Sequence, residues 1–330
     1  MERRETPTLS VVVPVYNEAA NVRVLYGRLR RTLALLGESS EIIFVNDGSR
    51  DDTIDQLAAL HRDDSSVKVI DLSRNFGKEA AVTAGIDFAA GEAVVVIDAD
   101  LQDPPELIPE LVAKWREGYD SVCAVRTRRD GESWLKRATA HSFYRVIGKI
   151  SKTPIPQDTG DFRLMSRRAV EALKTLREQN RFMKGLFAWV GFPQTSVYYV
   201  RDPRYAGKTA WNYWKLWNFA VEGITSFSHF PLQLATLFGL TAALLAFAHG
   251  SYVFILTVFY GNPVPGYPSL MVAILFLGGV QLICLGIIGE YLARTYSESK
   301  RRPLYFVNGT LGLEPSVEPH ADHRTREVRV

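Results

Sequence analysis

The sequence has little cysteine, no apolar leader and no strong excess of either charge. Only two cysteines occur among 330 residues, Cys123 and Cys284, and they lie far apart, which excludes a disulfide framework or a cysteine zinc site. The first ten residues, MERRETPTLS, contain no apolar run, so we expect no cleaved signal peptide. The net charge of +3 is too balanced to indicate a nucleic-acid partner.

Two common nucleotide-binding motifs are also missing. No GxGxxG follows the first predicted strand, which argues against a dinucleotide-dependent oxidoreductase. Gly207-Lys208-Thr209 resembles the end of a P-loop, but Asp202 stands where that motif needs its first glycine. A P-loop ATPase is therefore not expected.

Asp, Glu, Lys and Arg are absent between Gly223 and Gly289, although they make up 23% of the chain. This stretch holds two apolar runs, Pro231–Phe259 and Ser269–Gly289, and each exceeds the roughly 20 residues that cross a bilayer. We predict two transmembrane helices within 231–292, joined by a turn-rich connector near 260–268. The alternative is a pair of buried helices in a soluble protein.

The basic residues around the two runs predict an orientation. The connector has no Lys or Arg, whereas both flanks carry them: Lys208, Lys215, Arg294, Lys300, Arg301 and Arg302. The positive-inside rule then places the connector outside a cell (inner or plasma) membrane. The domain before the helices, the tail 293–330 and both termini are predicted to be cytoplasmic.

Two further segments have the composition of membrane-surface helices. Three of the six tryptophans lie between 211 and 217, which predicts an interfacial aromatic helix over 209–230. The segment 133–152 has basic residues at helical spacing and no acid, which is typical of an amphipathic helix on an anionic surface. A solvated helix face explains the second pattern equally well.

Residues 9–126 alternate apolar runs with helical patterns, within a domain predicted over 1–208. Such alternation predicts an α/β fold, with a mostly parallel sheet covered by helices on both faces. Ligands bind at the carboxyl ends of strands in these sheets. Polar residues follow three of the predicted strands, at 14–18, 46–49 and 98–103.

The aspartates of the third polar segment suit a hard divalent cation. Carboxylates from Asp98 and Asp100, with an amide oxygen from Gln102, are ligands that Mg²⁺ or Mn²⁺ prefers, and substrate phosphates usually complete such sites. The alternative is a capped helix start before Pro104-Pro105, which aspartates also favour.

Five segments taken in order resemble the family 2 glycosyltransferases of GT-A fold: VVVPVYNE, VNDGS, SRNFGKEAA, IDADLQDPPE and TGDFRLM. The strongest likeness is to membrane-anchored bactoprenol (polyprenyl-phosphate) glucosyltransferases of the GtrB type, with dolichol-phosphate mannose synthases as more distant relatives. It runs from about residue 8 to 307 and includes the paired C-terminal spans. The QxxRW motif of processive polysaccharide synthases is absent.

The resemblance implies roles for individual residues. The nucleotide sugar would contact Pro14, Tyr16, Glu18, Asp47, Lys78 and Asp98. The metal would be held by Asp98, Asp100 and Gln102. Asp161 would be the acid at the reacting centre, and Arg204 would lie on a loop closing over the phosphates. For Lys78 a solvated lysine at a helix start is the alternative.

An anionic acceptor that meets an anionic diphosphate needs cations between them. The candidates for binding the acceptor phosphate are Arg126, Arg128, Lys136 and Arg137. The planar guanidinium binds phosphate through two hydrogen bonds. Arg126 is favoured because it directly follows the fifth predicted strand, and a solvated loop charge is the alternative for any one of Arg126 to Arg129.

The activity that the resemblance implies is inverting transfer of glucose from UDP-glucose to polyprenyl (undecaprenyl) phosphate at the cytoplasmic membrane face. The product would be a lipid-linked sugar for glycan or cell-envelope modification. Mg²⁺ or Mn²⁺ would be the cofactor. A second copy of the chain, a flippase and a downstream glycosyltransferase would be its further partners. The alternatives are GDP-mannose or a modified UDP-pentose as donor, another acceptor, and a non-catalytic membrane scaffold.

Overall fold

The computed structural model describes residues 7–127, 159–179, 181, 183–200, 230–260 and 266–313. These residues belong to two compact units. The sheet unit contains the described residues up to 200 together with 303–313, and the helical unit contains those between 230 and 302. The predicted surface helices at 133–152 and 209–230 lie outside the described residues, apart from Phe230.

The sheet unit is built on one sheet of eight strands. The strands are β1 Leu9–Val15, β2 Ser40–Asn46, β3 Val67–Leu72, β4 Ala93–Val96, β5 Ser121–Arg126, β6 Thr159–Ser166, β7 Gln194–Tyr199 and β8 Val307–Leu311. Their order across the sheet is β7-β5-β6-β4-β1-β2-β3-β8. Parallel pairs join β1 to β2 and β4, β2 to β3, and β5 to β7.

Helices connect the strands. They are α1 Ala19–Leu36, α2 Thr53–Asp63, α3 Lys78–Phe88, α4 Ile108–Arg116, α5 Arg167–Thr175 and α6 Met183–Trp189, with a 3₁₀ turn at Pro105–Leu107. The central strands are runs of β-branched and other apolar residues, and Val11, Val12 and Val13 are fully buried. Consecutive buried residues require cover on both faces of the sheet, which confirms the predicted α/β architecture.

Two strands run against the parallel direction. β6 lies between β4 and β5 and is antiparallel to both. β8 is antiparallel to β3 and forms one edge of the sheet. Residues 293–330 were predicted to form a cytoplasmic tail, whereas part of this segment, β8, completes the sheet. The edge position explains the polar composition of β8, because most of its side chains are exposed.

The helical unit consists of α7 Phe230–Tyr260 and α8 Tyr267–Ser299. Both are long and apolar enough to cross a membrane, over Leu232–Val253 and Val272–Ser299. Large apolar side chains such as Phe247 are more than half exposed, as expected for lipid-facing positions. α8 continues beyond the predicted end of the second span at 292.

Candidate active site

Three charged side chains meet at the carboxyl edge of the sheet. Lys78 is the first residue of α3, Asp98 follows β4, and Asp161 lies on β6, next to β4. The Lys78 Nζ lies 2.6 Å from the Asp98 Oδ1 and 2.5 Å from the Asp161 Oδ2. The ammonium group therefore bridges two carboxylates that the sequence analysis had assigned to the same site. We call Lys78, Asp98 and Asp161 the central cluster.

The charges of the central cluster reinforce one another. Desolvation alone would lower the pKa of Lys78, but Asp98 and then Asp161 raise it above its ordinary value. Burial alone would raise the pKa of Asp161, but the positive charges of Lys78 and Lys184 outweigh it and hold that pKa below its usual range. Asp161 is consequently a carboxylate at neutral pH, and a carboxylate with a low pKa is a weak general base.

Asp161 has one carboxylate oxygen available for a further interaction. Its Oδ1 is buried and has no hydrogen-bond partner within the described part of the chain. A buried unpaired carboxylate oxygen is costly, so its presence at a sheet edge is typical of a position that a ligand completes. A substrate hydroxyl, a water molecule or a cation could interact with an oxygen in this position.

Further charged residues surround Asp161 and were not singled out from the sequence. Burial, and then the negative charge of Asp161, raise the pKa of Glu79 to about 8. Burial lowers the pKa of Lys184. Arg163 is buried, donates to the Gly160 carbonyl oxygen at 3.2 Å and stacks on Phe187. The sequence contained one signal for Arg163. Phe162 and Leu164 alternate with Asp161 and Arg163 along β6, and alternation in a strand puts Asp161 and Arg163 on the same face.

The chemistry of the predicted metal ligands fits a hard cation. Asp98 and Asp100 follow β4, and the Asp100 Oδ1 accepts a hydrogen bond from the Gln102 backbone N–H at 3.2 Å. Leu101, which lies between Asp100 and Gln102, has a positive φ of 60°, so the backbone turns sharply at this point. Across the described segments no three His, Cys, Asp or Glu side chains converge on a metal site. A metal here would therefore depend on phosphate oxygens to complete its ligands.

The end of β1 and the loop after it hold three of the predicted nucleotide-binding residues. Pro14 is half-buried in β1, and Tyr16 is 42% exposed. The Glu18 carboxylate accepts a hydrogen bond from the Asn21 side-chain amide at 2.5 Å, and its backbone N–H donates to the Thr53 hydroxyl at 3.0 Å. Tyr16 is thus open to a ligand, whereas Glu18 also fixes the start of α1.

Asp47 joins two loops rather than facing solvent. Its Oδ1 accepts from the Phe76 backbone N–H at 2.7 Å and its Oδ2 from the Gly77 N–H at 3.0 Å. Burial raises the pKa of Asp47, and these two hydrogen bonds oppose the rise. The predicted contact with the nucleotide sugar stays a prediction, and the structure adds that Asp47 holds the segment leading into Lys78.

Arg126 lies in a buried polar cluster on β5. Its Nε donates to the Tyr199 hydroxyl oxygen at 3.2 Å, and its Nη2 lies 3.7 Å from the Asp103 Oδ1. The Tyr199 hydroxyl in turn donates to Asp103, which is fully buried. A Cβ on Gly160 would approach the Arg126 Nη2 to 3.1 Å, so a small residue is favoured there. The guanidinium is thereby held in one place at the ligand edge.

Four predicted residues cannot be placed relative to this site. Arg204, Arg128, Lys136 and Arg137 lie outside the described residues. Their predicted roles in closing over the phosphates and in binding the acceptor stay predictions.

The sheet and its charged carboxyl edge are those of a glycosyltransferase. Residues 10–174 match the model of glycosyl transferase family 2, and the chain belongs to that family. Residues 230–295, which include all of α7 and most of α8, match the GtrB C-terminal hairpin. These matches confirm the predicted enzyme class, the GT-A type fold and the GtrB-type hairpin.

Relatives match over almost the whole chain. An uncharacterized glycosyltransferase of Synechocystis sp. is 58% identical over 94% of this chain and 97% of its own length. The bactoprenol glucosyl transferase of Shigella phage SfV is 51% identical over 91% of this chain and 97% of its own.

A glucosyl-3-phosphoglycerate synthase from Mycobacterium tuberculosis, crystallised with Mn²⁺ and UDP-glucose, is 21% identical with a TM-score of 0.47, covering 66% of this chain and 78% of that chain.

Proposed function

We propose that this enzyme transfers glucose from UDP-glucose to polyprenyl (undecaprenyl) phosphate at the cytoplasmic face of a membrane, with inversion at the anomeric carbon. The central cluster is the observation that carries the proposal. It places one ammonium and two carboxylates at the sheet edge where α/β folds bind ligands. GDP-mannose and a modified UDP-pentose are the competing donors.

The acceptor is inferred from the relatives and from the helical unit. The SfV relative, half identical over nearly its full length, is named a bactoprenol glucosyl transferase. Two helices long enough to cross a membrane would keep the enzyme where a long-chain lipid phosphate resides. Basic residues flank these helices and are absent from the connector, which supports cytoplasmic termini and an outside connector.

The acceptor chemistry is compatible with the low pKa of Asp161, because it requires no strong general base. A phosphate monoester has a second pKa near about 6, so it is already largely ionised at neutral pH. Its oxygen can attack the anomeric carbon without a strong base, while the bond to the nucleoside diphosphate breaks. Asp161 would then orient the sugar or stabilise positive charge at the anomeric centre, and Arg126 would hold the acceptor phosphate.

A divalent cation fits the ligand end of β4. Mg²⁺ or Mn²⁺, held by Asp98, Asp100 and Gln102, would neutralise charge on the leaving diphosphate. Lys78 would supply a second positive charge beside the same phosphates, and its charge lowers the pKa of Asp161.

The test is a radiolabel transfer assay with purified full-length enzyme in lipid nanodiscs containing undecaprenyl phosphate. UDP-glucose, GDP-mannose and a UDP-pentose are offered in parallel, each with Mg²⁺, Mn²⁺ or excess EDTA. We expect UDP-glucose to transfer label into the lipid fraction when Mg²⁺ or Mn²⁺ is present, and no transfer in excess EDTA. Transfer from GDP-mannose alone would overturn the donor, and transfer only to a water-soluble acceptor would overturn the lipid phosphate.

A further inference from the structure

The segment that follows α8 returns to the sheet unit and reaches the loops of the candidate nucleotide pocket. It comprises residues 303–311 and is called the return segment here. β8 within it pairs with β3, from Val69 opposite Leu311 to Leu72 opposite Val307. The Ser73 backbone N–H then donates to the Phe306 carbonyl oxygen at 2.9 Å. The pairing therefore extends past β3 into the loop 73–77, which leads to Lys78.

A chain of hydrogen bonds links the return segment to the loop after β2. The Asn308 side-chain amide donates to the Asp71 Oδ2 at 2.7 Å, and the Asn46 amide donates to the Asp71 Oδ1 at 2.7 Å. The Asn46 side-chain oxygen accepts from the Ser49 backbone N–H at 3.3 Å. Asp71 thus joins an exposed residue of β8 to the loop 46–49, which carries Asp47.

The same segment packs on the loop 73–77. The rings of Phe306 and Phe76 have centroids 6.3 Å apart, and the Arg74 guanidinium lies 4.0 Å from the centre of the Phe76 ring. Phe76 is also a backbone donor to Asp47. Gly48, with a φ of +64°, allows the two loops to meet, since a Cβ there would lie 2.5 Å from the Asn75 backbone nitrogen.

A third link fixes the return segment to α3 itself. The Tyr305 hydroxyl donates to the Asp87 Oδ2 at 2.7 Å. Arg177 also binds Asp87, with Nη to Oδ distances of 2.7 and 3.0 Å. Lys78 begins the helix that contains Asp87. The return segment is therefore bonded to the start of the loop 73–77 at Ser73 and to the C-terminal end of α3 at Asp87.

We propose that the return segment is a positioning element for the donor site, in which Phe306 and Asn308 hold the loops 73–77 and 46–49. Only the identity of the ligand, a nucleoside diphosphate, rests on the proposed function. Neither residue contacts the central cluster directly among the described residues. Their effect would pass through Asp71, Phe76 and Asp47, and it would change donor binding rather than acceptor binding.

The experiment compares Phe306→Ala and Asn308→Ala with two controls in the full-length enzyme. Phe306→Tyr keeps the ring against Phe76. Thr310→Val lies in the same strand, and the hydroxyl it removes donates to the Leu313 carbonyl oxygen within the C-terminal segment. Phe306 and Asn308 are exposed, so neither alanine removes core packing. The readouts are UDP and GDP affinity by calorimetry with Mg²⁺, and hydrogen exchange at the Phe76 and Gly77 amides.

We expect the two alanine variants to bind the nucleotide about two- to tenfold more weakly, as the loss of one net hydrogen bond or ring contact implies. Their Phe76 and Gly77 amides should exchange faster, and both controls should match the wild type. Unchanged affinity in both alanine variants, or an equal loss in Thr310→Val, would overturn the proposal. If the wild type binds neither nucleotide, the proposed function fails, and amide exchange alone decides whether the segment holds the loop.

Discussion

The cluster around Arg126 permits a sharp test, because adjacent tyrosines on β7 face opposite sides. Tyr199 is 6% exposed and its hydroxyl bonds to both Arg126 and Asp103, whereas Tyr198 is 68% exposed. Burial and the nearby Asp103 carboxylate raise the pKa of Tyr199, so its hydroxyl stays protonated and donates. Tyr199→Phe removes this donor from a fully buried carboxylate and removes the acceptor of the Arg126 Nε.

The expected cost follows from the charge and burial of Asp103. A hydrogen bond to a charged group contributes about 1.5–3 kcal/mol, and little solvent can reach Asp103 to replace it. A loss of about 2 kcal/mol lowers the Tm of a unit of this size by about 4–8 °C. Arg126 also loses its orientation, so the apparent KM for the lipid phosphate should rise while UDP affinity stays unchanged.

The assay is thermal unfolding of the detergent-solubilised enzyme, together with steady-state kinetics against both substrates. Tyr198→Phe is the matched control, since it removes the same atom from the exposed face of the same strand. If the two variants unfold at the same temperature, the buried hydroxyl does not stabilise Asp103. If Tyr199→Phe weakens donor binding instead, Arg126 belongs to the nucleotide side of the site.

Substitutions of Asp161 and Lys78 address the central cluster, one of Asp100 addresses the predicted metal ligands, and one of Ser269 addresses the membrane orientation. Asp161→Asn should lower kcat at least about tenfold with little change in nucleotide Kd, because its interaction is made mainly in the transition state; a simple loss of nucleotide binding would contradict this. Asp100→Ala should weaken metal-dependent UDP binding by at least about tenfold, and normal turnover with metal would exclude it as a ligand. Lys78→Met should reduce kcat/KM by about tenfold, a modest effect because solvent screens the charge of this partly exposed lysine. Lys78→Arg should retain more activity, because it keeps the positive charge. Equal activity of the two variants would refute the bridging role. A cysteine in place of Ser269 should react with an impermeant reagent outside intact cells, and labelling only after permeabilisation would reverse the topology.

The sequence by itself determined the features that depend on local composition. Unbroken apolar runs correctly predicted the buried strands β1 to β4, and the long charge-free stretch correctly predicted the two long apolar helices α7 and α8. Burial of apolar surface is non-directional, so a local run is enough to predict it. The position of the aspartates in a ligand site could also be predicted from the sequence, because parallel strands bring their carboxyl ends to one edge.

Tertiary structure decided which distant residues share a partner. Lys78 and Asp161 are 83 positions apart, and only the insertion of β6 beside β4 brings their charges together. No local pattern marked β8, since an exposed edge strand needs few apolar residues and takes its register from β3. Hydrogen bonds and ion pairs are directional and short-ranged, so their partners follow from strand order and register, and these are properties of the folded chain.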